Sequence, residues 1–118
     1  LTLEGAGMAN TTIDGTGTGD VLAINANWCN VSGFKITRGG STSPSSSVKI
    51  NSDYVHIWMC NISFSNTGVY LSASDNTHIE NNRIYANINQ GVYLTSSSTN
   101  NIIEHNVMNI TNTVSGAT

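Results

Sequence analysis

Charge is scarce in this sequence. Of its 118 residues, 9% are Asp, Glu, Lys or Arg, where an average soluble domain has about 25%. Four Lys and Arg against seven Asp and Glu leave a net charge of −3. Four cations cannot line a phosphate-tracking surface, so nucleic acid is not an expected partner. No run approaches the roughly 18 apolar residues of a membrane-spanning helix, and no membrane insertion is expected. Proline occurs once and cysteine twice. Two cysteines are too few for a disulfide framework and do not by themselves make a metal site. Ala, Leu, Glu, Lys and Gln, the good helix formers, are sparse, which excludes a helical protein.

In their place stand 17 Asn, 15 Ser and 14 Thr, beside 12 Ile and 8 Val. With 38% hydrophobic residues, the chain has too much apolar matter for a disordered segment. β-Branched residues and turn formers together predict strands and turns almost throughout. The length suits one domain, 1–118, with a single modest core.

The chain repeats itself. Gly68-Val69-Tyr70-Leu71 returns as Gly91-Val92-Tyr93-Leu94, and Asn76-Thr77-His78-Ile79-Glu80-Asn81-Asn82 returns as Asn100-Asn101-Ile102-Ile103-Glu104-His105-Asn106. Looser copies start at Val21 and Val48. Alignment gives four columns: Val21, Val48, Val69, Val92; Val31, Ile57, Ile79, Ile103; Phe34, Cys60, Asn82, Asn106; and Ile36, Ile62, Ile84, Met108. Each copy holds three short alternating apolar segments, right for strands and too short for helices. One copy cannot bury its own apolar face. Stacked copies can, each strand pairing in parallel with its equivalents about 4.8 Å away. A leading partial coil at 1–20 and coils at 21–47, 48–67, 68–90 and 91–112 are predicted, about four to five coils of 21–27 residues. The Phe34 column is placed at a bend, side chains inward. Asn suits it because its amide can bond the neighbouring turn and its own copy one coil away, and because Asn tolerates left-handed backbone.

The runs VSGFKI at 31–36, THIENNRI at 77–84 and NIIEHNVM at 101–108, with the opening LTLEGAG and TTIDGTGTGDVLAI, resemble the parallel β-helix repeat family. The resemblance spans nearly the whole chain. It implies an all-β, right-handed, single-stranded parallel β-helix of the pectin-lyase-like type. That family includes polysaccharide lyases and glycoside hydrolases as well as surface and periplasmic proteins without such activity, so the fold does not decide the function. Solenoids normally carry polar end caps. None is evident here, so the chain is expected to be a piece of a longer solenoid or to stack on copies of itself through its open ends.

Four classes of candidate residue follow. Hydrolysis of a glycosidic bond needs two carboxylates about 5–9.5 Å apart. Stacked coils place Asp53 with Asp75 and Glu80 with Glu104, against the plainer reading of turn formers and a solvated face. The Asn-Thr-Asp, Asp-Asp and Gly-His-Gly motifs of pectin hydrolases are absent, and Arg83-Ile84-Tyr85 matches their Arg-Ile-Lys only in part. With no complete catalytic motif the reading leans away from an enzyme. His56 and His78 share a column beside Glu80 and Glu104, a donor set that suits Zn²⁺ or Cu²⁺. Solvated surface histidines are the plainer reading, and no metal or other cofactor is assigned. Tyr54, Trp58, Tyr70 and Tyr93 are expected to project outward, where aromatic faces pack on sugar rings; Trp28 is expected to be partly in the core. Sequons begin at Asn10, Asn30, Asn61 and Asn109, although a chain this rich in Asn, Ser and Thr also forms such triplets by chance. Cys29 aligns with Val55 and Thr77, and Cys60 with Phe34, so two buried thiols are favoured over a bridge. The resulting expectation is an extracellular or cell-surface β-solenoid, with a periplasmic setting also open. Its role would be scaffold or glycan contact, with a polysaccharide or cell-surface glycan as partner and end-to-end assembly open to it. The alternative is a segment of a polysaccharide lyase or glycoside hydrolase.

Overall fold

A computed structural model of the protein describes residues 1–108 and a strand at 114–116. Asn109, one of the sequon asparagines, lies outside the described residues. Among the described residues, fifteen short strands follow one another in five rounds of three. The first round is β1 (Thr2–Glu4), β2 (Thr12–Asp14) and β3 (Leu22–Ile24). The second is β4 (Asn30–Ser32), β5 (Lys35–Thr37) and β6 (Ser46–Ile50), and the third β7 (His56–Trp58), β8 (Asn61–Ser63) and β9 (Thr67–Leu71). The fourth is β10 (His78–Glu80), β11 (Arg83–Tyr85) and β12 (Gln90–Leu94), and the last β13 (Ile102–Glu104), β14 (Val107–Met108) and β15 (Val114–Gly116). Each strand pairs in parallel with its counterpart in the next round. Three five-stranded sheets result, ordered β1-β4-β7-β10-β13, β2-β5-β8-β11-β14 and β3-β6-β9-β12-β15.

The register turns sequence columns into side-chain stacks. Leu3, Val31, Ile57, Ile79 and Ile103 lie over one another in the first sheet, and Ile13, Ile36, Ile62, Ile84 and Met108 in the second. The third sheet stacks Val48, Val69 and Val92, and beside them Ile50, Leu71 and Leu94. These aliphatic residues, wholly or almost wholly buried from Val31 to Leu94, form one core along the axis. Each side chain taken fully from water contributes roughly 1.5–3 kcal/mol. One expectation is corrected. Leu22, not Val21, heads the third-sheet column, in register with Val48. Sheet side chains alternate, so a one-residue slip reverses every face. With Leu22 inward, Ile24 also faces in and sits over Ile50; the Val21 register would have put Ala23 there instead.

At the bends backbone bonds between coils continue on either side, as from Met59 N–H to the Asn81 carbonyl, but the N–H of the inward residue leaves the pairing and a side chain takes it. Asn82 faces inward, buried, and its Oδ1 accepts the Cys60 N–H at 3.0 Å while its Nδ2 donates to the Ile57 carbonyl at 3.0 Å. The same two bonds recur elsewhere. Asn106 takes the Asn82 N–H and the Ile79 carbonyl. Asn101 takes the Thr77 N–H and the Ser74 carbonyl, and Asn87 the Ser65 N–H and the Ile62 carbonyl. Each asparagine thus clamps the equivalent residue one coil earlier and the carbonyl three residues before it. Asn82 Nδ2 also reaches Asn106 Oδ1 at 3.1 Å, the side-chain ladder expected for this column. The left-handed backbone falls one residue earlier than expected, on Gly33, Met59, Asn81 and His105. At Gly33 a β-carbon would strike the Gly5 carbonyl, so glycine is required. The residue in the left-handed conformation carries its side chain outward, which frees the next one to turn in.

Both cysteines are free and buried, in separate columns. Burial pushes the Cys60 thiol above its ordinary pKa, with backbone hydrogen bonds from Phe34 and Gly33 acting the other way. A neutral, enclosed thiol is a poor nucleophile. In the native protein Cys60 should react with an alkylating reagent at least roughly tenfold slower than in urea; equal rates would show the bend to be open. Replacing Asn82 with Ala strands the Cys60 N–H. Urea unfolding of this variant should show a loss on the order of 2 kcal/mol, and a loss near zero would mean that the clamp adds nothing net.

Candidate functional site

The outward positions of the third sheet carry a run of larger polar and aromatic side chains. Lys49, Tyr70 and Tyr93 stand one above another at the same register position of β6, β9 and β12. The tyrosine ring centroids are 5.1 Å apart and tilted by 39°, and Lys49 Nζ lies 5.7 Å from the Tyr70 centroid. Beside the two rings runs a groove of about 270 Å³, lined also by Ser43, Pro44, Thr67, Asn89 and Gln90. The Thr67 hydroxyl donates to Gln90 Oε1 at 3.2 Å, which holds that amide in place. The groove therefore offers two aromatic faces together with amides and a hydroxyl. Asn89 and Gln90 are not among the candidates that the sequence offers. Their signal is faint but present, since Gln90 stands where Thr67 stands in the preceding coil.

The first sheet presents a different outer face. His56 and His78 are in register, as are Trp58, Glu80 and Glu104. The imidazoles stack at 5.0 Å with planes 13° apart, and Trp58 lies against His56 at 4.2 Å. His56 Nε2 is 2.9 Å from Glu80 Oε1, His78 Nε2 is 3.3 Å from Glu80 Oε2, and His78 Nε2 is 3.1 Å from Glu104 Oε1. A contact repeats along one diagonal, from each histidine to the glutamate one coil on and two residues across. All four side chains are half-buried to exposed. The grouping of His56, His78, Glu80 and Glu104 on one face follows the expected register.

Tyr54 and Trp58 do not join the Tyr70 groove. Tyr54 stands at the bend before β7, and its partner is Trp28. Their rings stack at 4.1 Å with planes 6° apart. Trp28 is 66% exposed, which corrects its expected place in the core. It occupies a left-handed bend position that throws its side chain outward. The column Trp28, Tyr54, Asn76, Asn100, each with positive φ, is the outer counterpart of the inward clamp column.

Asp53 and Asp75 do share a turn column, and their carboxylates hold it together. Asp53 Oδ1 accepts the Asp75 N–H at 2.9 Å, and Asp75 Oδ1 accepts the Thr99 N–H at 2.7 Å and the Thr99 hydroxyl at 3.0 Å. Asn27 does the same for Asp53 one coil earlier. An amide oxygen can replace the carboxylate in these bonds. Asp75→Asn should unfold within about 0.5 kcal/mol of the native chain, and Asp75→Ala about 1 kcal/mol lower; a large loss with Asn would show that the charge itself is needed. Of the sequon asparagines, Asn10 is exposed. Asn30 and Asn61 are half-buried within strands, and Asn61 Oδ1 is enclosed with no hydrogen-bond partner among the described residues.

The parallel register, the inward aliphatic stacks and the outward variation are those of a β-solenoid. Searches of curated proteins and of solved structures find no match to this chain. The family model of the right-handed β-helix region matches residues 3–117. Together with three parallel five-stranded sheets, that match shows that the chain belongs to the right-handed β-helix family.

Proposed function

We propose that this β-helix is a stiff scaffold that contacts glycans, at a cell surface or outside the cell, through its third-sheet outer face. The observation that carries the reading is the Tyr70–Tyr93 pair beside a groove whose remaining lining is mostly hydroxyl and amide. Sugar rings present C–H faces that pack on aromatic systems and hydroxyls that need donors and acceptors close by. Both are supplied here within two coils. The Gln90 NH₂ group and Lys49 Nζ add donors at the rim. The Trp28–Tyr54 stack is a second aromatic platform at a neighbouring bend. The exposed sequon at Asn10 fits the same setting, with glycosylation as part of the proposal.

The scaffold role rests on the core. No moving part is needed for such a contact, and the inter-coil bonds hold the rings at fixed spacing. The outer edges of β1, β2 and β3 have a strand on one side only, and near them Leu1, Leu3, Leu22 and Ile24 line a cavity of about 270 Å³. End-to-end assembly with a second copy through this edge is part of the proposal.

Affinity electrophoresis in gels containing plant or microbial polysaccharides tests the glycan reading. Native protein should be retarded by at least one polysaccharide. The Tyr70→Ala/Tyr93→Ala double variant should lose at least roughly tenfold in affinity while its unfolding midpoint changes little. Retardation that survives the double substitution, or none in any gel, would remove this face as the contact site.

A further inference from the structure

We infer that His56, His78 and Glu80, on the outer face of the first sheet, form a binding site for a divalent cation of the zinc type. The site is independent of the glycan face, which lies on another sheet. Its three donor atoms lie within 4.8 Å of one another. Glu80 presents its two oxygens to the two imidazoles, Oε1 at 2.9 Å from His56 Nε2 and Oε2 at 3.3 Å from His78 Nε2, nitrogen-to-oxygen separations near the roughly 3.3 Å edge of a tetrahedron whose centre-to-ligand bonds are 2.0–2.1 Å. Side-chain rotation, open to three half-buried groups on an outer face, would bring the donors onto one face of such a tetrahedron. Two imidazoles and a carboxylate are also the donor set with which zinc keeps a fourth position open.

The side chains are pre-organised by the fold. Register places His56 and His78 side by side, with their rings nearly parallel and both Nε2 atoms turned to the same carboxylate. Trp58 packs against His56 and limits its rotation. Glu104 stands next to the site, 3.1 Å from His78 Nε2, where it can act as a fourth ligand or hold a bound water.

Without a cation the cluster is poorly matched. A neutral imidazole carries one proton on Nε2 at most, and His78 Nε2 faces an oxygen of Glu80 and one of Glu104. The two carboxylates, one coil apart in register, also repel each other. A dication bound through neutral imidazoles relieves both conflicts. It neutralises the pair of carboxylates, and it replaces the contested proton with a centre that several donors can share.

The test is titration calorimetry of the folded chain with Zn²⁺ near neutral pH, run alongside Co²⁺ absorption spectra. The expected result is one saturable site. His78→Ala and Glu80→Gln should each weaken it by roughly 100-fold or more and leave the metal-free circular dichroism unchanged, which shows the fold intact. The Co²⁺ spectrum should lack a thiolate charge-transfer band, which separates this site from Cys29 and Cys60. Absence of saturable binding would overturn the inference, and so would binding that persists in both variants or a spectrum with thiolate character.

Discussion

The structure depends on an inward asparagine that bonds the coil beside it. A parallel solenoid satisfies its backbone easily along the strands, where each N–H meets a carbonyl one coil away. The corners are the difficulty, because an N–H turned into the core has no strand opposite and no water. Asn82, Asn106, Asn101 and Asn87 meet that need with one amide each, accepting from one coil-equivalent N–H and donating to one carbonyl. Serine can fill the same role at closer range. Ser98 Oγ accepts the Ser74 N–H at 3.1 Å and lies 3.4 Å from the Leu71 carbonyl. Part of the abundance of Asn and Ser is therefore a property of the corners, where a charged side chain would be a buried, unpaired ion.

Once the corners hold, the register is set, and everything on the surface inherits it. Residues separated by one coil in the chain become neighbours in space. A ring thus lands on a ring, as with Tyr70 and Tyr93 or Trp28 and Tyr54, and a histidine beside a histidine. The core does not depend on these choices, because the aliphatic stacks face inward and the varied side chains face out. One fold can therefore carry unlike faces. Here the third sheet offers aromatic and amide groups, and the first offers imidazole and carboxylate.

Much of this was legible in the repeat. The columns headed by Val31 and Ile36 are the observed stacks, and the alignment of His56 with His78 and of Glu80 with Glu104 is the observed register. Those positions repeat with little insertion, so alignment and geometry coincide. Legibility failed where the repeat is loosest. The third-sheet column slips by one residue at its first member because Val21 and Leu22 are both apolar, and only the burial of Ile24 over Ile50 separates the two registers. Trp28 is expected partly in the core because it precedes an inward strand. A left-handed residue at the bend reverses the side on which its side chain emerges, and composition carries no sign of that. Asn89, Gln90 and the Ser43-Pro44 loop lie outside the repeated hydrophobic pattern, so their convergence on Tyr70 needed the structure.

Repetition also explains why a site here need not resemble a cleft. In most folds a constellation of groups is gathered from distant parts of the chain by loops. In this one, a motif of two outward residues on one strand becomes a two-by-two array as soon as it is copied. The diagonal from His56 to Glu80 is repeated from His78 to Glu104 because both follow from one spacing and one register. The array ends where the copy fails, at Ile102, which pairs with His78 and contributes no donor. Duplication by itself is unfavourable for charged residues, since like charges opposite each other in a sheet destabilise it. Interleaving a histidine between the acids lowers that cost, and it also sets nitrogen and oxygen donors at the spacing of a coordination shell. The chemistry of such a face is thus decided by where a repeat is kept and where it is broken, while the fold, held at its corners, is indifferent to both.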